Sequence, residues 1–139
     1  MSELFEALSE QETDFTIFFR NLATPAFASV VPAFYDEKSP GEKLGMWLKR
    51  YEARVNGEKT SIQERQRQMN AVNPKYVFRN YLAQQAIDAL EQGDASVLER
   101  LMTVLKKPYD EQPEHGELAA RRPEWARHKA GCSALSCSS

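Results

Sequence analysis

Two cysteines close to the C-terminus, Cys132 and Cys137, are the residues of this chain best suited to chemistry. A thiolate is a nucleophile and a metal ligand, and an accessible thiol exchanges with disulfides. Nucleophilic catalysis also requires a base and an oriented pocket, but both cysteines lie within the last eight residues, where chains commonly fray. Two interpretations therefore stay open, namely inert free thiols and a redox-active pair that exchanges with another sulfur.

A metal site would have to combine these cysteines with His115 and His128, the two histidines of the chain. Structural zinc sites show paired ligand spacings, whereas Cys132 and Cys137 are separated by four residues, with no second pair. Asp14 opens an Asp-Phe-Thr run that is similar to a metal-binding Asp-Phe-Gly, but the glycine is missing and the position favours a helix cap. The sequence therefore predicts no metal-binding residues.

The distribution of the six glycines excludes a glycine-rich loop that binds phosphate groups. No two of them are separated by a single residue, and no Gly-Lys-Ser or Gly-Lys-Thr tripeptide occurs. We therefore predict that this chain contains no catalytic residues and no cofactor-binding residues.

Basic residues interleaved with aromatic ones raise the question of nucleic-acid binding. The candidates are Lys49, Arg50, Arg54, Arg65, Arg67, Lys75 and Arg79, with Tyr76 and Phe78 among them. Acidic residues are mixed with these bases, the net charge is −2, and aromatic residues at helical spacing more often form a core. The sequence therefore predicts no nucleic-acid partner. A polar subset is instead available to meet a neighbouring domain, namely Arg65, Arg67, Lys75, Arg79 and Asn80.

The size and composition are those of one globular domain, with 139 residues, 42% hydrophobic and 27% charged. No apolar run approaches the ~18 residues of a membrane span, and the acidic, amphipathic N-terminus resembles neither a secretory signal nor a transit peptide. We therefore expect a cytoplasmic protein without membrane contact. Residues 1–37 carry a net charge of −6 and residues 38–139 one of +4, an asymmetry that can steer a partner but that solvated helix surfaces also produce.

Apolar residues recur at helical spacing, and no strand-like alternation is present. The stripes are Leu4, Phe5 and Leu8; Phe15, Phe18, Phe19 and Leu22; Leu44, Trp47, Leu48, Tyr51 and Val55; and Val97, Leu98, Leu101, Met102 and Leu105. Asp14 is expected to cap the second helix, and Ser61 with Glu64 forms a capping box for a polar helix. Residues 24–41, which contain several prolines, predict a connector.

The stretch from Asn73 to Asp94 carries the clearest start and stop signals. Pro74 is predicted to be its first helical residue, Gly93 its C-terminal stop, and Asp94 the cap of the following helix. From residue 108 onward the pattern gives way to a polar tail with Trp125 as its anchor. The predicted fold class is all-α, with about five or six helices in a domain over residues 1–107 and an extended tail over residues 108–139.

The sequence NPKYVFRNYLAQQAIDALEQGD, at residues 73–94, resembles the C-terminal region of the SelO (YdiU) family of protein adenylyltransferases. The resemblance extends over about residues 12–139. It includes DFTIFFRNLA, the spacing of Trp47, Leu48, Tyr51 and Arg54, the run KKPYDEQ, the run RPEWA, and the terminal Cys-Ser-Ser.

The resemblance implies an atypical protein-kinase fold and transfer of AMP from ATP, with Mg²⁺, to Ser, Thr or Tyr hydroxyls of protein substrates. The family's nucleotide-binding and catalytic residues precede the region present here, so none is carried over. Cys137 matches a family cysteine, selenocysteine in some members, that is linked to redox control through a disulfide. Its partner cysteine has no counterpart in this chain other than Cys132.

Two functional hypotheses follow. In the first, this chain is the C-terminal helical segment of a SelO-like adenylyltransferase, is inactive by itself, and needs the missing N-terminal catalytic portion as its partner. In the second, it is a free-standing helical module, derived from that family, that binds a protein partner.

Overall fold

A computed structural model of the chain describes residues 1–24, 26–36 and 40–129, so that Cys132 and Cys137 lie outside the described residues. Within these ranges the fold is all-α, as predicted, and the only β-type pairing is an isolated bridge between Thr13 and Phe34. The α-helices are α1 (Ser2–Ser9), α2 (Phe15–Asn21), α3 (Phe27–Val30), α4 (Glu42–Asn56), α5 (Ile62–Asn70), α6 (Asn80–Glu91) and α7 (Ser96–Leu105). Short 3-10 helices cover Val31–Ala33, Pro113–Ala119 and Glu124–Arg127.

The chain divides into two compact units, Met1–Asn73 and Pro74–Ser139. Each unit has its own cluster of buried apolar side chains. The predicted boundary at residue 107, between a helical domain and a tail, stays a prediction.

Helices α1, α2 and α4 supply most of the core of the first unit. Their buried residues follow the stripes read from the sequence, with Leu4 and Leu8 on α1, Phe18 on α2, and Leu44 and Leu48 on α4. Burying one such side chain contributes about 1.5–3 kcal/mol, so this cluster accounts for the folding of the unit. The predicted connector adds α3 and the first 3-10 helix to the same core.

Two polar residues cap helices of the first unit, as their sequence positions predict. Asp14 Oδ1 accepts a hydrogen bond from the N–H of Ile17 at 3.0 Å, and Ser61 Oγ accepts one from the N–H of Glu64 at 3.1 Å. The Glu64 carboxylate pairs with Arg67, which lowers the pKa of that carboxyl. Each cap satisfies a backbone donor that has no partner within its helix.

Helices α6 and α7 form a hairpin in the second unit, and its turn contains Gly93. The φ angle of Gly93 is +83°, a left-handed conformation that favours glycine, so the predicted C-terminal stop is confirmed. The N-cap residue of α7 is Ala95 rather than the predicted Asp94, although Asp94 Oδ1 accepts a hydrogen bond from the N–H of Ser96 at 2.9 Å. The hairpin encloses a core of Tyr81, Leu82, Leu101 and Ala126.

The predicted start of α6 is wrong, because the helix begins at Asn80 rather than at Pro74. Tyr76 is only 1% exposed, and the N–H groups of Lys75 and Tyr76 both donate to the carbonyl oxygen of Pro108, at 2.8 and 3.2 Å. The segment before α6 therefore makes its hydrogen bonds to a distant part of the chain. That pairing outweighs the local preference for a helix after Pro74.

The longest helix in the described residues, α4, has 15 residues, and none of the described helices is long and apolar enough to span a membrane.

Candidate functional site

The most elaborate polar arrangement in the second unit surrounds Tyr76. Its hydroxyl donates to the carbonyl oxygen of Gln112 at 3.0 Å and accepts from the N–H of Gln112 at 3.2 Å. The side-chain amide of Gln112 in turn donates to the carbonyls of Val104 and Lys107, at 3.1 and 2.9 Å. Val104 lies in the last turn of α7, where helix acceptors have no partner within the helix, and Lys107 lies two residues beyond the end of that helix. The side chain of Gln112 therefore binds carbonyl groups at and just after the end of α7, and it holds the segment after that helix in place.

Arg100 on α7 holds the 3-10 helix Pro113–Ala119. Its Nε donates to His115 Nδ1 at 3.0 Å, and its guanidinium pairs with Glu117, which lowers the pKa of that carboxyl. His115, a candidate metal ligand in the sequence, thus uses one ring nitrogen in a structural contact.

The last described residues are anchored on α6 by an ionic and aromatic cluster. Lys129 Nζ lies 2.6 Å from Asp88 Oδ2, which lowers the pKa of the Asp88 carboxyl, and 5.5 Å from the centre of the Trp125 ring. Trp125 packs edge-on against Tyr81, with ring centres 6.3 Å apart, which confirms it as the anchor of this region. The neighbouring Ala126 is fully buried and shares that role.

The polar residues predicted to meet a neighbouring domain are instead engaged within their own units. Arg65 pairs with Glu58 at 2.5 Å and Arg67 with Glu64 at 2.7 Å, both in the first unit. In the second unit Lys75 pairs with Glu111, and Arg79 is 2% exposed. These bases therefore do not form a continuous positive surface on either unit, and their contact with another domain stays a prediction.

An apolar cavity of about 360 Å³ opens between α3 and α4 in the first unit. Phe27, Val30, Leu48 and Tyr51 contribute to its wall, and burial raises the pKa of the Tyr51 hydroxyl. That hydroxyl donates to the carbonyl oxygen of Leu22 at 3.2 Å, so it is committed to the fold. The cavity can take an apolar side chain, and the charged residues Lys49 and Glu52 also contribute to its lining.

The acidic and histidine residues of the described ranges are too dispersed to hold Mg²⁺. Over residues 1–24, 26–36 and 40–129 no group of three or more His, Cys, Asp or Glu residues is placed to hold a metal ion. Asp14, the acid of the Asp-Phe-Thr run, is 5% exposed and uses its carboxylate as the cap of α2. Asp14 therefore has a structural role in the first unit.

Sequence reasoning missed the structural role of Arg20, a buried charged residue of the first unit. Arg20 is 8% exposed, and its Nη1 donates to the carbonyl oxygens of Asn70 and Asn73, both at 2.8 Å. A guanidinium at the C-terminal end of α5 also suits the helix dipole. The only local signal was an arginine inside an otherwise apolar stripe, and that pattern does not identify its partners 50 residues away.

These features define a class of protein that is all-helical over the described residues and in which many polar side chains hold separate segments together. Comparison with known proteins gives the family. The family model "Protein adenylyltransferase SelO" matches residues 1–106, and the chain belongs to the SelO family.

Three similar relatives carry the name protein nucleotidyltransferase YdiU. The Nitrosospira multiformis protein is 50% identical over 100% of this chain, and the Azoarcus sp. (strain BH72) protein is 49% identical over 95% of it. The Aromatoleum aromaticum protein is 46% identical over 98% of the chain. The alignments cover only 31%, 27% and 28% of these relatives, so the chain spans less than a third of their length.

Proposed function

We propose that this chain is the C-terminal helical segment of a SelO-type protein adenylyltransferase. The complete enzyme would transfer AMP from ATP, with Mg²⁺, to Ser, Thr or Tyr hydroxyls of proteins. The observation that carries the proposal is that nearly the whole chain aligns, at 46–50% identity, with less than a third of relatives named as nucleotidyltransferases. The remainder of such a polypeptide would supply ATP binding and the reactive groups.

The local geometry supports a scaffolding role within a kinase-like fold. Asp14, Tyr51 and His115 are the groups that resemble chemistry-bearing residues by type, and all three make structural hydrogen bonds. A chain built in this way is expected to be inactive alone. It would act by supporting the portion that binds the nucleotide.

A chimera tests this proposal. The matched region of the Nitrosospira multiformis relative is replaced by this chain, and AMP transfer is measured with labelled ATP, Mg²⁺ and a generic protein acceptor. The controls are the unaltered relative, the relative without its matched region, and this chain alone. We expect transfer by the chimera and by the unaltered relative only, because only these two combine the scaffold with the remaining portion.

Two results would contradict the proposal. Robust AMP transfer by this chain alone would show that it carries its own catalytic groups. A chimera that unfolds cooperatively, as the unaltered relative does, and yet transfers no AMP would show that the chain cannot serve as the segment it resembles. The second result would favour a free-standing module that binds a protein partner.

We further propose that Cys137 is redox-active and that Cys132 is its local partner. A thiol that has formed a mixed disulfide can be released by a second thiol of the same chain, which leaves a disulfide between the two cysteines. The test compares Cys137→Ser with Cys132→Ser in their reaction with a disulfide probe. Loss of the reaction in Cys137→Ser, with a persistent mixed disulfide in Cys132→Ser, is expected. Equal rates for the two cysteines, unchanged when either is removed, would leave inert thiols.

A further inference from the structure

Three phenylalanines from α1 and α2 form a continuous aromatic patch on the first unit. The ring centre of Phe5 lies 6.3 Å from that of Phe15 and 6.4 Å from that of Phe19, and the Phe15 and Phe19 centres are also 6.4 Å apart. Each ring thus contacts both of the others at a distance typical of favourable aromatic pairs. We call Phe5, Phe15 and Phe19 the aromatic patch.

The outer part of the aromatic patch is open to solvent. Phe5 is 44% exposed and Phe15 is 41% exposed, while Phe19 is partly buried against the core through its edge-on contact with Phe18. Isolated apolar residues on a surface need no explanation, but contiguous aromatic ones mark interaction sites. The patch therefore extends the core outward to a surface that a partner can cover.

The acidic side chains of α1 already form ion pairs with residues of α4. Lys43 of α4 pairs with Glu6 at 3.1 Å and with Glu10 at 2.5 Å, and Arg50 pairs with Glu3 at 3.0 Å. At 3.6 residues per turn, Glu6 lies about 100° and Glu3 about 160° around α1 from Phe5. Covering the aromatic patch would therefore bury no unpaired carboxylate of α1, which is the usual cost of closing such a surface.

The position of the aromatic patch along the chain points to its occupant. Phe5 is four residues from Met1, about 6 Å along α1. If this chain is the C-terminal segment of a longer polypeptide, the portion before it arrives directly beside the patch. The alignments leave more than two thirds of each of these relatives outside the matched region.

We infer that the aromatic patch is the docking surface for the catalytic portion that precedes this segment in a SelO-type protein. The inference rests on the proposed function and names the surface through which the scaffold acts. The facing surface of the catalytic portion is apolar, since the core of a protein interface is depleted of charge and enriched in aromatic side chains. Phe5 and Phe15 are its anchors, because they have the most area left to bury.

Hydrogen exchange in the chimera described above tests this inference. Backbone amides of α1 and α2 are compared in the isolated chain and in the chimera, where docking would slow their exchange. We expect Phe15→Gln, and likewise Phe5→Gln, to reduce the additional protection in the chimera by about tenfold, the effect of removing one interface anchor. Because more than half of each ring is covered within the first unit, exchange in the isolated chain is measured for each variant, and the loss of protection is expressed relative to it.

Phe27→Gln is the matched control. Phe27 is the first residue of α3 and is 41% exposed, just as Phe15 is the first residue of α2 and equally exposed. It lies outside the aromatic patch, so the control chimera should keep its additional protection. An equal loss in the control would overturn the assignment of the surface, as would full protection in Phe15→Gln.

The two remaining outcomes separate docking from function. AMP transfer by the chimera without additional protection of α1 and α2 would sustain the proposed function and overturn the docking surface. Protection that rises with the concentration of the isolated chain and is lost in Phe15→Gln would identify a second copy as the occupant and overturn the inference. Protection in the chimera without AMP transfer would sustain the docking surface and count against the proposed function.

Discussion

The substitution Arg20→Met tests whether a buried guanidinium holds α5 to the rest of the first unit. Arg20 lies in the last turn of α2, and its Nη1 donates to the carbonyl oxygens of Asn70 and Asn73, both at 2.8 Å. Methionine retains much of the volume of the side chain but removes both donors and the charge. The two carbonyls would lose their partner where α5 ends.

The structure gives the size of the expected effect. A hydrogen bond from a charged group contributes about 1.5–3 kcal/mol, so two of them amount to about 3–6 kcal/mol. Part of this is offset, because methionine also removes the cost of keeping a charge in a site that is 8% exposed. We expect the free energy of unfolding of the first unit to fall by about 3 kcal/mol.

Urea denaturation measures this free energy. The chain has two tryptophans, Trp47 in the first unit and Trp125 in the second, so fluorescence in a Trp125→Phe background reports the first unit alone. The control is Arg50→Met, which removes an ion pair with Glu3 whose side chains are 62% and 69% exposed. A loss of at most about 1 kcal/mol is expected for that exposed pair. Equal losses for the two variants would refute the structural role assigned to Arg20.

Three further predictions concern the second unit. Gly93→Ala should lower the stability of the second unit by about 1 kcal/mol, because the φ of Gly93 is +83°. The control Gly116→Ala should change the stability little, because Gly116 has no positive φ and there is open space around the added carbon. Equal melting temperatures for the two variants would contradict the prediction. Tyr76→Phe should cost about 2 kcal/mol in urea, since both of its backbone partners lie in a partly buried site; a neutral effect would mean that water replaces the hydroxyl. The pKa values of Asp88 and Glu117 are lowered in the folded state by their pairs with Lys129 and Arg100. These pairs should therefore stabilise the second unit above about pH 4, the pKa of unfolded carboxyls, and lose this effect as the pH falls through the folded pKa values. A free energy of unfolding that does not change with pH over this acidic range would show that the two pairs contribute nothing.

The sequence was informative wherever a structural feature depends on a few neighbouring residues. Asp14 and Ser61 cap helices through backbone groups three positions away, and Gly93 follows the end of α6 because its own φ is positive. Apolar periodicity likewise identified the buried faces of α1, α2 and α4. Such features can be recognised because every interacting atom lies within one turn of helix.

Features that depend on distant residues could not be read in this way. Pro74 is a good first residue for a helix, but the segment after it bonds to Pro108, and Tyr76 is buried against Gln112, 36 residues away. Arg20 finds its acceptors 50 and 53 residues along the chain. Local propensity carries no information about these partners, and tertiary contacts of this kind override it.

In the candidate site, too, local features could be predicted from the sequence and features that depend on distant residues could not. The absence of a glycine-rich loop follows directly from the spacing of the glycines, because such loops are contiguous motifs. The aromatic patch could not be predicted from residue spacing. Phe5 and Phe15 belong to different helices, and their exposure depends on how α1 packs beside α2. Their spacing predicted core residues, and only the fold shows that part of each ring remains on the surface.

The carbonyl of Pro108, which receives the N–H groups of both Lys75 and Tyr76, constrains how this region can evolve. Every residue type except proline offers a backbone N–H, so the amino acid at position 75 can drift without loss of the contact. An insertion or deletion within the α6–α7 hairpin is different, because it would shift residue 108 along the helix axis and around it. Descendants of this chain are therefore freer to change composition than length between residues 75 and 108.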